Sequence, residues 1–468
     1  MNRPLWTAFE IAEAVDGEVH GSFDADGVAF DSREIGRGDL FLALKGETTD
    51  GHHFLDKAFE AGAAGAVVSA ACAGPHVRVA DTMAALNALG AASRRRMAGK
   101  VIGVTGSVGK TGTKEALFAC LDRARPGRVH RSVKSYNNHT GVPLSLARMP
   151  ADSEFGVLEM GMNHAGELAA LTRLVRPHVA IVTAIAPAHS AYFADEAAIA
   201  DAKGEIFQGL EPGGTAILPF ESPHRDRLIA AARPHAGKIL TFGRPAEADI
   251  HVQDMISLEK GTLLSLILPD AELTFTVAPP GEHWVSNAMA VMAAVWAAGG
   301  DLAAAGLAFS DMPGLPGRGQ RIAIPVDDGA ATIIDESYNA NPASMAATIR
   351  MLGQEKAERR IALLGEMREL GANSPAYHAD LAGPLRAAGI DYALLVGPQM
   401  ASLANALEGR MEFAHVADAA AALDSLEKLI APGDAILVKG SNAIDLSHLV
   451  ERLRSKVTTG ERTTCSTF

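Results

Sequence analysis

The run Val101-Ile102-Gly103-Val104-Thr105-Gly106-Ser107-Val108-Gly109-Lys110-Thr111 narrows what this chain can be more than any other stretch. Its apolar start predicts a short buried strand, its glycines a turn, and the residues at about 110–123 a helix. Such a turn points its N–H groups inward, and the helix N-terminus behind it adds partial positive charge. Together they make a cradle for phosphates. Lys110 would reach the β- and γ-phosphates of a nucleotide, and the Thr111 hydroxyl would bind Mg²⁺. The general form of this loop has a further glycine where this chain has Val104, so the loop is the short variant Thr-Gly-x-x-Gly-Lys-Thr. Nucleotide contacts are expected from Thr105, Gly106, Ser107, Val108, Gly109, Lys110, Thr111, Gly112 and Thr113.

A chain of 468 residues is too long for one core, so roughly two to four domains are expected. The net charge of −13 argues against a general nucleic-acid binder, which needs a basic surface, but leaves room for a local anion pocket. Cys72, Cys120 and Cys465 are far apart, which suits a reducing cytosol and offers neither a disulfide framework nor a metal site. The first residues, Met1-Asn2-Arg3-Pro4-Leu5-Trp6, have no long apolar region, and apolar runs such as 288–298 are too short for a bilayer. A cytoplasmic monomer that does not span the membrane is the expectation.

The chain reads as α/β with three domains. Residues 1–82 form a small α/β unit. A Thr7-capped helix opens it, an apolar run follows at 40–44, then a helix near 54–61 and a strand at 66–68. Its polar strand ends hold Ser32, Arg33, Lys45 and Gly46. Residues 83–312 alternate strand and helix around the phosphate loop, which implies a mostly parallel sheet covered on both faces. One strand ends at Glu159, and His189 follows another at 179–183. Ligands gather at the carboxyl ends of such strands, so Glu159 and His189 fall beside the cradle. The helix expected at 196–210 carries Lys203, most simply a solvated charge. Residues 250–277 alternate as half-buried strands do, and 284–298 make an alanine-rich core helix with Met289, Met292 and Trp296. The Pro- and Gly-rich stretch 311–319 is a linker and hinge. Residues 313–468 repeat the doubly wound pattern, with strands at 331–335, 360–364, 392–396 and 435–439 and a tail frayed from Val457.

In this order the pieces resemble the Mur ligases, ATP-dependent amide ligases of peptidoglycan synthesis. The resemblance covers essentially the whole chain. It rests on the short loop at 105–111, on Asn138-His139-Thr140-Gly141-Val142-Pro143-Leu144, on Leu158-Glu159-Met160-Gly161, on Ala188-His189 and on Ala202-Lys203-Gly204-Glu205-Ile206-Phe207. It continues in His283-Trp284-Val285-Ser286-Asn287, where Trp284 stands in place of the family's first Asn, in Arg318, and in Asp335-Glu336-Ser337-Tyr338-Asn339-Ala340-Asn341-Pro342. The Tyr-Asn-Ala-Asn-Pro form, Leu364-Gly365-Glu366-Met367-Arg368-Glu369-Leu370-Gly371 and Val438-Lys439-Gly440-Ser441 look like the branch that adds D-alanyl-D-alanine. Asp31-Ser32-Arg33 and Ala43-Leu44-Lys45-Gly46-Glu47 resemble the family's UDP-sugar-binding domain.

What the resemblance implies is an ATP-dependent ligation of UDP-N-acetylmuramoyl-tripeptide to D-Ala-D-Ala. The first domain would bind UDP, the central P-loop domain ATP, and the C-terminal domain would be Rossmann-like. Two Mg²⁺ ions are implied, one on Thr111 and Glu159, the other on His189 and a carbamylated Lys203. Catalytic roles fall to Lys110, Glu159, His189, Lys203 and Arg318. Asn287, Arg318, Asp335, Tyr338, Asn339 and Asn341 would add nucleotide contacts. Ser32, Arg33, Lys45, Gly46, Asn137, Asn138, Lys439 and Ser441 would face the other substrates. Another Mur-type ligase with a different amine acceptor, a P-loop hydrolase or kinase, and a nucleotide-gated binding protein stay open as alternatives.

Overall fold

The computed structural model describes residues 3–46, 49–186, 193–258, 261–279, 281–314, 317–327 and 329–459. Three large sheets carry the chain, with a two-stranded ribbon, Trp6–Thr7 against Asp24–Ala25, beside the first. That first sheet runs Glu18–His20, His76–Arg78, Gly65–Val68, Asp39–Leu42, Gly27–Ala29, and all its pairs but the first are parallel. Helix Ala8–Val15 begins where expected. The Thr7 hydroxyl accepts from Glu10 N–H while the Glu10 carboxylate accepts from Thr7 N–H, so each end of the turn satisfies the other. Helix Thr82–Arg96 falls on the central side of the expected boundary at 82. It buries Leu86 and Leu89 in one core with Trp6, Ile11 and Leu144. The first and central units therefore share packed apolar surface at this helix.

The central sheet has nine strands in the order Val129–Arg131, Phe155–Glu159, Lys100–Thr105, Val179–Val182, Thr215–Pro219, Lys238–Gly243, Ile250–Ser257, Thr262–Leu268, Ala271–Val277. The pairs from Val129–Arg131 to Ile250–Ser257 are parallel, and the last three strands form an antiparallel meander. Helices Lys110–Ala124 and Glu282–Ala297 cover one face, packing Leu117, Leu121, Met289 and Met292 on Ile102 and Val104. Helices Glu167–Val175 and Glu196–Gly204 cover the other with Leu168, Leu171, Ile199 and Ala202. The chain leaves Lys100–Thr105 toward one side of the sheet and later crosses to the other, so the strand order reverses at this central strand. Glu159 pairs with Val104, and Val182 with Thr105, so these three strand ends lie side by side.

The third sheet runs Gln320–Val326, Gly329–Glu336, Asp434–Lys439, Arg359–Gly365, Tyr392–Val396, Phe413–Val416, with only its first pair antiparallel. Helix Pro342–Gly353 covers one face; Ala419–Leu429 and Leu446–Thr459 cover the other. The last helix continues past Val457, where fraying was expected, because its earlier turns are anchored by Leu446, Leu449, Val450 and Leu453.

Candidate active site

The cradle has the backbone its glycines allow. Gly106 has φ of +151° and Gly109 of +87°, both in the region that favours glycine. A Cβ on Gly106 would sit 1.9 Å from the Thr183 hydroxyl, and one on Gly109 2.8 Å from the Asn287 carboxamide oxygen. The neighbouring strand end braces the loop. Thr183 donates to the Val108 carbonyl at 2.5 Å and Ser107 N–H to the Ala184 carbonyl at 2.8 Å, while Ser107 Oγ accepts from Ala186 N–H. Thr105 is buried, and its carbonyl accepts from Thr183 N–H. Helix Lys110–Ala124 starts at Gly109 with no side-chain cap, so its first N–H groups are left for a ligand. Lys110 Nζ lies 2.7 Å from the Gly106 carbonyl and 3.4 Å from that of Ser107, folded back over the loop. Burial lowers its pKa, Glu159 opposes that, and Arg318 adds to it. On the next turn Gly112 leaves room for the Asn287 amide, and Thr113 donates to Asn287 at 3.4 Å. Trp284 is buried against Gly112, filling the place expected of an Asn with apolar ring.

Thr111 and Glu159 meet. The hydroxyl donates to Glu159 Oε2 at 2.8 Å, and the Asn137 amide donates to Oε1 at 2.8 Å. Glu159 is 1% exposed, and a carboxylate so buried needs such donors. Oxygen donors at the end of a phosphate cradle suit Mg²⁺, so these residues fit that ion. Among the described residues no three His, Cys, Asp or Glu side chains cluster as a metal site. His189 lies outside the described residues. Lys203, read from sequence as a solvated charge, is 1% exposed. Burial first, then the charge of Lys110, holds its ammonium well below the usual lysine range.

The hinge arginine stacks its guanidinium 4.2 Å over the Tyr338 ring. The charge of Arg318 also acts on Lys110, His283 and Lys439, so it stands between the central and third domains. Asp335 was expected to meet the nucleotide. In the structure its oxygens accept from Gly317 N–H at 2.7 Å, Ser337 N–H at 3.1 Å and the Ser337 hydroxyl at 2.6 Å. A buried carboxylate takes the nearest donors, and here they are Gly317 of the hinge and Ser337, two residues on. Asn341 likewise caps helix Pro342–Gly353, accepting from Ser344 N–H at 2.8 Å. The Asn339 carboxamide oxygen accepts from Ala340 N–H, and its backbone carbonyl from Lys439 Nζ at 3.0 Å. Lys439 pairs with Glu336 at 3.4 Å. Ser441 is buried; its hydroxyl accepts from Arg368 N–H, and its own N–H donates to the Glu366 carbonyl.

In the first domain Arg33 is exposed and forks onto Asp31, whose carboxyl this hydrogen-bonded pair pulls down to about 2. Ser32 lies between them. Lys45 and Gly46 are exposed, and Gly46 N–H donates to the Thr49 carbonyl. Asn138 folds its side chain onto the N–H groups of Thr140 and Gly141 and so starts helix Gly141–Ala147.

Sequence reasoning passed over Thr183, the brace of the cradle, and Lys114, a fully buried lysine 3.9 Å from Glu159 Oε2. Lys114 had a signal: it sits four residues after Lys110 and shares its helix face. Thr183 had only its place at a strand end.

The chain matches the "Mur ligase family, catalytic domain" over residues 24–96. It matches the "Mur ligase middle domain" over 104–295 and the "Mur ligase, glutamate ligase domain" over 317–442. The UDP-N-acetylmuramoyl-tripeptide–D-alanyl-D-alanine ligase of Escherichia coli (strain K12) is 34% identical, over 97% of this chain and 99% of its own. That of Bacillus subtilis (strain 168) is 33% identical, over 96% and 98%. A crystal structure of MurF from Acinetobacter baumannii superposes with a TM-score of 0.83 at 32% identity, covering 96% of this chain and 99% of that one. Likeness that runs the length of both chains and through all three domains makes this protein a member of the Mur ligase family.

Proposed function

We propose that the protein is an ATP-dependent ligase that joins D-Ala-D-Ala to UDP-N-acetylmuramoyl-tripeptide during peptidoglycan precursor synthesis. The observation that carries this reading is the Thr111–Glu159 contact at the mouth of an uncapped, glycine-cradled helix. The names of the near-full-length relatives supply the two substrates. The first domain would take the UDP-sugar through Ser32, Arg33, Lys45 and Gly46, and the third the dipeptide near Lys439 and Ser441. The protein would act as a monomer in the cytoplasm; among the described residues no helix is long and apolar enough to cross a membrane.

A carboxylate is a poor acyl donor, because its leaving group would be oxide. When bound, ATP and Mg²⁺ supply a transferable phosphoryl group and the charge that screens it. The protein's part is placement and charge neutralisation. Lys110 would turn from the Gly106 and Ser107 carbonyls to the phosphates. Thr111 and Glu159 would hold one Mg²⁺. His189 and a carbamylated Lys203 would hold a second. The depressed pKa of Lys203 favours the neutral amine that CO₂ attacks, and the carbamate replaces a cation by oxygen ligands. Arg318 would meet the phosphates as the third domain closes and excludes water. The tripeptide carboxylate oxygen would attack the γ-phosphorus with ADP leaving, giving an acyl phosphate; the dipeptide amine would then add to the acyl carbon, lose a proton and expel phosphate.

Phosphate release tests the reading. It is expected only when UDP-tripeptide and D-Ala-D-Ala are both present. Equal turnover with free D-Ala or an L-amino acid would reject the dipeptide acceptor, and release without any amine would favour a hydrolase.

A further inference from the structure

Lys114 is the most deeply buried lysine beside the site, and nothing in the reaction above uses it. Its ammonium has three N–H donors and three close acceptors: the Ser132 carbonyl at 3.0 Å, the Lys134 carbonyl at 2.6 Å and Glu115 Oε1 at 2.9 Å. Glu159 Oε2 lies outside hydrogen-bond range at 3.9 Å. Two of its three contacts are therefore spent on segment 132–137, and that segment grips Glu159 from two directions. Ser132 Oγ accepts from Glu159 N–H at 3.0 Å, and the Asn137 amide donates to its carboxylate. The Asn137 carbonyl also accepts from Gly161 N–H, just beyond the strand end. At its other end the segment reaches the first domain. Lys134 Nζ and the Tyr136 hydroxyl converge on Glu34 Oε1, the latter at 2.8 Å.

We propose that Lys114 is a positioning residue that rivets segment 132–137 to the P-loop helix, and so holds Glu34 of the first domain in register with Glu159. The inference deepens the ligase reading and rests on it for the role of Glu159. Two opposite effects follow from removing the ammonium. Loss of a cation near Glu159 would strengthen its pull on a metal ion. Loss of the rivet would free Asn137 and let Glu159 drift. The second effect wins, because two of the three close contacts of the ammonium are to the segment, the third is to Glu115, and none is to Glu159.

The test uses the whole protein and two variants, Lys114→Met and Glu34→Ala, read by amide hydrogen exchange and by calorimetric binding of ADP with Mg²⁺. Lys114→Met should speed exchange across 132–137 and weaken Mg²⁺-dependent ADP binding about tenfold, as expected when buried carbonyls lose their donor. Glu34→Ala removes the far anchor, whose carboxylate bonds to Lys134 and Tyr136 and touches neither the cradle nor Glu159. It should speed exchange in the same segment and weaken ADP binding severalfold, and it keeps the proposal open to refutation if Lys114→Met does not fold. Unchanged exchange at 132–137, or ADP binding in Glu34→Ala equal to the parent's, would overturn it. A parent that binds ADP without regard to Mg²⁺ would break the ligase reading instead, and the exchange data would still decide on the rivet.

Discussion

Two strand–loop–helix units in this molecule look alike and do opposite things with their helix ends. In the central domain Lys100–Thr105 leads to helix Lys110–Ala124, whose N-cap is a left-handed Gly109 with no side chain to offer. In the third domain Gly329–Glu336 leads to helix Pro342–Gly353. There Asn341 caps Ser344 N–H, the Ser344 hydroxyl takes Asn341 N–H in return, and Pro342 has no N–H to satisfy. The carboxylates follow suit. Glu159 looks to a hydroxyl and an amide that a metal ion could displace or share, whereas Asp335 is tied to the hinge backbone. The fold of the two units is shared; what differs is which polar groups are left for a ligand. An end that satisfies itself contributes stability, and an end that does not leaves N–H groups open to a ligand.

The largest effect should come from the open end. Lys110→Ala removes the cation that would face the transferring phosphoryl group, and the loss should be roughly 3 to 4 kcal/mol in barrier, with the fold intact by circular dichroism. Near-normal phosphate release would mean that this helix end is no more a nucleotide site than the capped one. Lys203→Ala comes next. It should lose most activity and recover part of it when a short carboxylic acid is added to take the carbamate's place. Full activity in CO₂-free buffer would remove the modification from the account.

Acid should act on the central and third domains through imidazoles that are half-buried or buried. His178 Nδ1 accepts from Val101 N–H, so it must be unprotonated there, and burial pulls both His130 and His178 down to about 4. Burial lowers His378 in the third domain too. Unfolded, an imidazole takes its proton near 6.5. Stability is therefore whole above about 6.5 and is lost as pH falls toward about 4, which a series of melting curves would follow. A melting midpoint that stays level between these values would count against the burial of these rings. The smallest effect belongs to the closed helix end. Asn341→Ala should cost about 1 kcal/mol of stability, the usual worth of an N-cap, read by denaturant unfolding. Weaker ADP binding with no loss of stability would return Asn341 to the nucleotide and erase the contrast.

The open end was legible from sequence because its signal is local: glycines, Lys110 and Thr111 lie within a few residues of one another on a predictable strand and helix. The meeting of Thr111 with Glu159 was also legible, since parallel strands put their carboxyl ends on one edge. For Asp335 and Asn341 residue type shows what a side chain can bond but not the partners the structure gives it, Gly317 and Ser337 for the one and Ser344 for the other. Gly317, which donates to Asp335, comes from the hinge, 18 residues away in sequence. Lys114 showed only its helix face in the sequence, because two of its acceptors are carbonyls of a distant segment. Helix Thr82–Arg96 carries no composition break, so its shared packing with the first domain shows only in three dimensions.

The central claim is that this chain activates a carboxylate by phosphorylating it before an amine arrives. Labelling the terminal carboxylate of the UDP-tripeptide with heavy oxygen tests it directly. Attack of that oxygen on phosphorus, followed by displacement at the acyl carbon, leaves one labelled oxygen in each phosphate released, which mass spectrometry of the phosphate detects. Phosphate without label, at a rate equal to ATP consumption, would mean that water is the acceptor and would contradict the account.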